Sequence, residues 1–162
     1  MRIAIVAFVA TSLDEALKLS DTYTEITHNR PEGMSAARVV VESIYLAREG
    51  LPANDIRQAI SKYYDLDFTI ASIRKEYQRT ERASHSVPQA IVAALEAKSF
   101  EDAMRLAVSL GGDTDTQAAI AGGIAEARFG MPDDIKDTTL SYLDSNMLNI
   151  VERFYRHHRN DL

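Results

Sequence analysis

The sequence predicts an all-α fold, and three observations support this prediction. Ser12 and Ser99 are each followed three residues later by an acid, which is the spacing of a capping box at a helix start. Apolar residues between such signals recur at the intervals of three and four that one face of a helix requires. The one segment that could be a strand, residues 2–10, has no sheet to join in an otherwise helical chain. We therefore expect residues 2–10 to be extended or irregular and to pack against helices.

The first half of the chain contains three predicted helices with clear boundaries. The first begins near Ser12 and ends before the segment THNRPEG. The second begins at Pro31, whose missing N–H costs nothing in a first turn, and it stops at Gly50. The third covers the segment LPANDIRQAISKYY, in which isoleucines and a tyrosine share one side.

The second half continues the helical pattern after a less regular segment. We expect a turn near Asp65, a short helix from about Thr69 and a loop through His85. A helix with Pro88 in its first turn follows, and Ser99 caps another. Three further helices are predicted in the segments TQAAIAGGIAEARF, MPDDIKDTTLSYLD and NMLNIVERFYRHHR.

Length and composition restrict the classes of function. The 162 residues suggest one domain, which we expect to cover residues 1–162. The chain has no cysteine, which excludes disulfides, zinc–thiolate sites and thiol nucleophiles. A net charge of −6 argues against nucleic acid and against an anionic membrane as the main partner. No apolar run approaches the roughly 18 residues of a membrane span. The opening MRIAIVAFVATS is too short and too weakly charged for a secretory signal, so we expect a cytoplasmic protein.

The most informative stretch is SLGGDTDTQAAIAGGIAEARFG, residues 109–130. Asp113 and Asp115 lie two residues apart where one predicted helix ends and the next begins. Helix capping is the simplest interpretation, because acids at a helix N-terminus satisfy free N–H groups and suit the helix dipole. One acid would serve that purpose, whereas two acids and an adjacent threonine hydroxyl offer converging hard oxygens. Such oxygens are the ligands of Mg²⁺, Mn²⁺ or Ca²⁺, so the residues leave capping and metal binding both open.

Two known acidic loops do not fit this stretch. An EF-hand that began at Asp113 would need glycine at its sixth position and glutamate at its twelfth, where this chain has Ala118 and Ile124. A phosphatase-type Asp-x-Asp nucleophile should follow a buried strand, but the preceding FEDAMRLAVSL has a helical pattern.

Gly122 and Gly123 lie side by side in the helix that follows the acids. Each costs about 1 kcal/mol relative to alanine inside a helix. Such a cost is reasonable where a neighbouring backbone approaches closely, so we expect this helix to be central.

The histidines and nearby polar residues are weighed individually. His28, in a turn before proline, is the best candidate for a binding residue, although such a residue is also a common cap or core residue. Asn29 is expected to cap the helix that starts at Pro31. The Ser-His-Ser around His85 lacks the G-x-S-x-G pattern of a nucleophile elbow, which argues against a serine hydrolase. His157 and His158 are expected in a solvated tail, because adjacent helix residues point about 100° apart and rarely chelate together.

Two motifs give the chain a resemblance to a known family. The segment GGDTDT before a helix of small residues resembles a metal-binding motif of the ADP-ribosylglycohydrolase family, which includes dinitrogenase reductase-activating glycohydrolase. The segment THNRPEGMSAARVVVESIYLAREG, residues 27–50, resembles that family's T-H-N-x-P-E-G segment and its helix. The VPQAI helix leads into GGDTDT at a familiar spacing, so the resemblance covers nearly the whole chain.

The resemblance implies a compact orthogonal helical bundle with two Mg²⁺ or Mn²⁺ ions. Members hydrolyse the glycosidic bond between ADP-ribose and a protein side chain or a related acceptor. By this resemblance Asp113 binds one ion, Asp115 bridges both, and Thr116 adds a hydroxyl ligand. The two acids are thereby the catalytic residues, and an ADP-ribosylated protein or a small ADP-ribosyl conjugate is the substrate.

The resemblance also implies residues that contact the substrate. His28 would face the ribose or the diphosphate, and Gly111 and Gly112 would let the backbone approach the ligand.

One family feature is not found in this sequence. Members carry an upstream Thr-Asp-Asp motif that completes the metal ligands, whereas the one Asp-Asp here is Asp133-Asp134, at a predicted helix start where acids suit the dipole. We therefore expect the chain to correspond to the C-terminal half of the family fold, lacking its N-terminal helices, as a short form, a split enzyme or a truncated product. Half of the ligands would then come from a homo-oligomer or from a complementary N-terminal-half chain. The alternative is a non-catalytic helical scaffold that binds a divalent metal or a nucleotide weakly or acts through a partner chain.

Overall fold

The structure is a computed structural model that describes residues 2–78 and 82–158. Within these ranges the chain forms ten α-helices and a short 3₁₀ turn, with no strand, which confirms the all-α prediction. The helices are α1 (Ala4–Val9), α2 (Leu13–Glu25), α3 (Pro31–Arg48), α4 (Ala53–Ile60), α5 (Ile70–Ile73), α6 (Val87–Glu96), α7 (Phe100–Val108), α8 (Thr114–Phe129), α9 (Asp133–Ser141) and α10 (Ser145–His158), with the 3₁₀ turn at Ala83–His85.

The helices fall into two compact units, Met1–Gly130 and Met131–Leu162. The first unit holds α1 to α8, and in it α8 packs against α3, α6 and α7 while α2 packs along α3. Its core is formed by fully buried side chains of these helices, including Ile44, Ile91 and Ile124. Helix α8 is therefore central within this unit, as its small residues predict. The single domain over residues 1–162 stays a prediction.

The second unit consists of α9 and α10. Neither helix has a buried residue. Asp133 and Asp134 lie in the first turn of α9, where the sequence predicts a structural role for them. His157 is exposed, and the ring of His158 lies 4.8 Å from that of Phe154. Over the described ranges of both units, no helix is long and apolar enough to cross a membrane.

Within residues 2–10, Ala4–Val9 form a helix rather than the extended or irregular segment that we expect from the sequence, and it packs against helices as expected. Helix α1 packs against α3, and its Val6 and Ala7 are buried. Arg48 of α3 donates from its guanidinium to the carbonyl oxygens of Ala7 and Ala10, each at 2.8 Å. These bonds satisfy carbonyls that the end of a helix leaves without partners. The prediction is wrong because a distant side chain, which no local pattern reveals, caps this short helix.

The serine caps of α2 and α7 are confirmed, with one difference from a full capping box. Ser12 Oγ accepts from the N–H of Glu15 at 3.2 Å, and Ser99 Oγ accepts from the N–H of Asp102 at 3.1 Å. The carboxylate of each acid binds the N–H of the residue before the serine, Thr11 in the first case. In a capping box each acid would accept from the N–H of the serine itself; here it accepts from the N–H of the preceding residue.

Asn29 does not cap α3. The cap position is Arg30, and its side chain forms no capping hydrogen bond. Pro31 at the first helical position has no N–H that would need a partner, which lowers the demand for a polar cap. The prediction for Asn29 is therefore wrong: the cap position is one residue later, and no side chain caps the helix.

Gly122 and Gly123 make room for side chains of neighbouring helices. A Cβ at Gly122 would lie 3.1 Å from Sδ of Met104 in α7. A Cβ at Gly123 would lie 3.1 Å from Cδ1 of Ile44 in α3 and 3.6 Å from Cβ of Ala4 in α1. The close approach that the sequence predicts is real, but side chains rather than a backbone fill the space.

The two glycines are expected to differ when a side chain is added. Gly122→Ala should leave the free energy of unfolding unchanged or raise it by up to about 1 kcal/mol, because Met104 is flexible and alanine favours the helix. Gly123→Val should lower it by about 1–3 kcal/mol, because Ile44 is fully buried and cannot move far. Urea unfolding of both variants measures this, and equal effects would contradict the packing described here.

Glu42 of α3 is buried, with 3% of its side chain exposed. Its two carboxylate oxygens accept from Lys62 Nζ and from Tyr63 Oη, each at 2.8 Å. Burial and the hydrogen bond to Glu42 raise the pKa of Tyr63 to about 12. The phenol therefore keeps its proton in the folded chain at pH values where an unfolded tyrosine loses it.

Stability should fall between about pH 10 and 12 because of this tyrosine. In that window the unfolded chain releases the Tyr63 proton while the folded chain retains it, so rising pH favours unfolding. Tyr63→Phe removes the group and should flatten this part of the pH profile, although it loses the bond to Glu42 at neutral pH. Urea midpoints of the two proteins from pH 8 to 12 would test this, and parallel curves would contradict it.

Candidate functional site

A cavity of about 490 Å³ in the first unit brings together residues of both sequence motifs. We name it the His28–Asp113 cavity. Its volume lies in the range of sites that bind small molecules. It is lined by Arg2, Ile3, Thr24, Thr27, His28, Gly33, Ala36, Ala37, Val40, Ala83, Ser86, Val87, Asp113, Thr116 and Ile120.

The corner between α2 and α3 positions His28. The carbonyl oxygen of Thr24 accepts from the N–H of Thr27 at 3.1 Å and from that of His28 at 2.8 Å, which closes the end of α2 into a turn. A Cβ at Gly33 would lie 3.2 Å from His28 Cβ and 3.3 Å from the His28 carbonyl oxygen. Gly33 thus lets the turn lie directly against the first turn of α3. In the sequence, the glycine of the P-E-G segment indicates this close contact.

Two further polar side chains lie beside His28. Thr27 Oγ1 lies 2.8 Å from Nδ1 of His28, and the guanidinium of Arg2 donates to the same hydroxyl. The sequence prediction missed both roles. Thr27 belongs to the T-H-N segment and could have been found there, whereas Arg2 stands alone beside an apolar run and gives no signal.

The loop before α8 needs its glycines for their backbone conformation. Gly111 has φ +74° and Gly112 has φ +80°, a region that other residues rarely adopt. Nothing lies within 4 Å of a Cβ built at Gly111, so conformation rather than space requires glycine there. Neither glycine lines the His28–Asp113 cavity, and the prediction that their backbone approaches a ligand stays a prediction.

The acids of this motif differ in their surroundings. Asp113 occupies the N-cap position of α8 and lines the cavity, yet its side chain forms no capping hydrogen bond. Thr116, one turn further on, also lines the cavity. Asp115 lies in the first turn of α8, is exposed and is not among the lining residues. The structure therefore brings His28, Asp113 and Thr116 together and leaves Asp115 outside the cavity lining.

The oxygens of this motif fit part of a divalent-metal site. Two carboxylates and a threonine hydroxyl are the hard ligands that Mg²⁺ and Mn²⁺ prefer. In the part of the chain that the structure describes, however, no group of three or more His, Cys, Asp or Glu residues could hold a metal ion. The oxygen donors are therefore of the type that these ions prefer, but the described residues supply too few of them to complete the coordination of an ion.

Tyr77 and Gln117 form a polar contact close to Asp113. The hydroxyl of Tyr77 donates to the carbonyl oxygen of His85 at 2.9 Å and accepts from Nε2 of Gln117. Burial raises the pKa of Tyr77, and the charge of Asp113 raises it further. Gln117 is fully buried, and its Oε1 has no hydrogen-bond partner within the described residues. The sequence prediction missed this contact, because no local pattern links residues so far apart in the chain.

Comparison with known proteins connects this geometry to a family. No curated protein matches the chain. A protein-family model described as ADP-ribosylglycohydrolase matches residues 1–161, essentially the whole chain. The two motifs that line one cavity and this match agree, and the chain belongs to the ADP-ribosylglycohydrolase family.

Proposed function

We propose that the His28–Asp113 cavity is the site at which this chain contributes to the metal-dependent release of ADP-ribose from modified protein side chains or related conjugates. Membership of the family supports a hydrolase of ADP-ribosyl conjugates. The observation that carries the proposal is that His28 and Asp113, from two motifs far apart in sequence, line the same cavity.

The surroundings of Asp113 support a role in binding a ligand. Because the side chain of Asp113 is not used as a helix cap, its carboxylate remains available to a ligand in the cavity. We propose Asp113, Asp115 and Thr116 as the metal ligands and the two acids as the catalytic residues. A bound Mg²⁺ or Mn²⁺ would supply Lewis acidity and would orient the ribose hydroxyls and a water. Asp115 is exposed on the first turn of α8, and in this proposal it would share an ion with carboxylates of another polypeptide.

We propose that the substrate is held by the turn after α2 and by the loop before α8. His28 would contact the ribose or the diphosphate, and the backbone at Gly111 and Gly112 would approach the ligand. The apolar lining of Ala36 and Val40 would exclude water from part of the bound group.

Completing the metal site would require ligands beyond those that residues 2–78 and 82–158 bring together. We propose that a second copy of the chain or a complementary polypeptide with the family's Thr-Asp-Asp motif supplies them. Exposed apolar side chains in the first unit support such an association, since Ile5, Tyr23 and Ile26 are 46%, 53% and 74% exposed. A cytoplasmic location remains part of this proposal.

A second candidate function is a non-catalytic helical module that binds a divalent ion or a nucleotide weakly. The incomplete set of ligands among the described residues favours it for the chain by itself.

A hydrolysis assay distinguishes the two candidates. The chain is incubated with an ADP-ribosylated peptide and Mg²⁺ or Mn²⁺, alone and together with a polypeptide that carries the Thr-Asp-Asp segment. We expect release of free ADP-ribose from the combination and loss of release when a chelator is added. Absence of release under every condition would leave the non-catalytic module as the function.

A further inference from the structure

A row of three side chains runs along the wall of the His28–Asp113 cavity. The guanidinium of Arg2 donates a hydrogen bond to Thr27 Oγ1, and that oxygen lies 2.8 Å from Nδ1 of His28. All three residues line the cavity and all three are exposed to solvent there. Because His28 is exposed, packing restrains its ring less than it would a buried ring, and the contact with Thr27 Oγ1 restrains the orientation of the ring.

The hydrogens in this row can be assigned from the chemistry of the groups. A guanidinium has only donors, so Thr27 Oγ1 must accept from Arg2. The hydroxyl has one hydrogen of its own, and among the described residues His28 Nδ1 is the one other group bonded to it. A cation that donates to a hydroxyl also strengthens that hydroxyl as a donor. An oxygen that already accepts from a cation is a weaker acceptor for a second donor, so donation from Thr27 to an Nδ1 without a hydrogen is favoured over acceptance from an Nδ1–H.

From this assignment we propose that Arg2 and Thr27 hold the neutral imidazole of His28 in the tautomer that carries its hydrogen on Nε2. Nε2 is then a donor, and it forms no hydrogen bond within the described residues, so it remains available to a ligand. The identity of the ligand rests on the proposed function: Nε2 of His28 would donate to an oxygen of the ribose or the diphosphate. His28 thus binds substrate as a hydrogen-bond donor and does not act as a general base through Nε2, and Arg2 is a positioning residue.

Backbone contacts also restrict the position of the His28 ring. The N–H of His28 is fixed on the carbonyl oxygen of Thr24 at 2.8 Å, and Gly33 keeps the Cβ of His28 against α3. With the Cα and Cβ fixed and Nδ1 bonded to Thr27, the position of Nε2 relative to the cavity is determined. A single orientation of one donor favours ligands that have an acceptor at the matching place.

The test is nitrogen NMR of the histidine side chains in the full chain, at a pH where the imidazoles are neutral. His28→Gln identifies the His28 signals among the four histidines. We expect the native chain to show one tautomer for His28, with hydrogen on Nε2. Thr27→Val and Arg2→Met should bring the shifts of the two ring nitrogens closer together, as a mixture of tautomers does, and Thr27→Ser should restore the native pattern.

A matched control and a binding measurement complete the test. Thr22→Val removes an exposed hydroxyl within α2, which donates to the carbonyl oxygen of Lys18, and should leave the His28 signals unchanged. Thermal unfolding of each variant confirms that the chain still folds. If ADP-ribose binds, Thr27→Val should weaken its binding by about three- to tenfold, as expected for one loosened hydrogen bond.

The proposal would be overturned by a native His28 with its hydrogen on Nδ1, by a mixture of tautomers in the native chain, or by an unchanged pattern in Thr27→Val; an unchanged pattern in Arg2→Met would overturn the role of Arg2. Its failure is distinct from failure of the proposed function. Normal release of ADP-ribose with mixed tautomers would overturn the role of Arg2 and Thr27 alone. A single tautomer without any binding or release of ADP-ribose would overturn the proposed function and leave the hydrogen assignment standing.

Discussion

Asp113→Ala is expected to lower metal-dependent release of ADP-ribose by about 100-fold or more, because under the proposed function it removes a charged ligand of the metal. The same change should cost less than about 0.5 kcal/mol of stability, since the side chain of Asp113 forms no capping hydrogen bond. A true N-cap acid would cost about 0.5–2 kcal/mol on replacement by alanine. The pair of measurements, release in the completed system and urea unfolding, therefore separates the metal role from the capping role.

Asp134→Ala is the matched control for this prediction. Asp134 also lies in the first turn of a helix, but in α9 of the second unit. Asp134→Ala should leave release within about twofold of the native value, because Asp134 is not among the residues that line the cavity. Equal loss of release in both variants, or a capping-sized loss of stability in Asp113→Ala with release intact, would contradict the role assigned to Asp113.

Arg48→Met is expected to lower the free energy of unfolding by about 2–4 kcal/mol. The side chain is 18% exposed, and it donates to the carbonyl oxygen of Ala7 in the last turn of α1 and to that of Ala10, the residue after the helix. Hydrogen bonds to charged groups contribute about 1.5–3 kcal/mol each, and methionine retains most of the apolar stem while losing both bonds. Urea unfolding measures the loss, and faster amide hydrogen exchange in α1 should accompany it.

Arg105→Met provides the comparison for Arg48. The Arg105 side chain is 76% exposed and pairs with Glu101 one turn earlier on α7. Exposed pairs of this kind contribute about 0.5 kcal/mol or less. If the two variants lost equal stability, the capping of α1 by Arg48 would not be what holds this helix.

The sequence predicted those parts of the fold that local chemistry determines. Ser12 and Ser99 begin helices because a hydroxyl and the next N–H groups are neighbours in the chain. The pair Gly122 and Gly123 indicated a closely packed central helix, because two glycines inside a helix are unfavourable unless neighbouring elements use the space. Helix α1 escaped prediction because its six residues show too little periodicity and because its cap, Arg48, lies far along the chain.

In the candidate site, too, residues in local motifs were predicted and residues with long-range contacts were not. His28, Asp113 and Thr116 were found because they belong to compact motifs, and the structure places them along one cavity. Arg2 and Tyr77 were missed because their roles arise from contacts between distant segments, Arg2 with Thr27 and Tyr77 with Gln117. Single polar residues outside motifs carry no signal of such contacts.

The most direct test of the account is NMR mapping of ADP-ribose binding on the isotope-labelled chain in the presence of Mg²⁺. The account predicts that backbone amide shifts change around the His28–Asp113 cavity, at Thr27, His28, Asp113 and Thr116, and that Asp113→Ala weakens these changes. Amides of α9 and α10 should keep their shifts. The account would be contradicted if saturating ADP-ribose left the cavity amides unchanged, or if the changes were confined to α9 and α10.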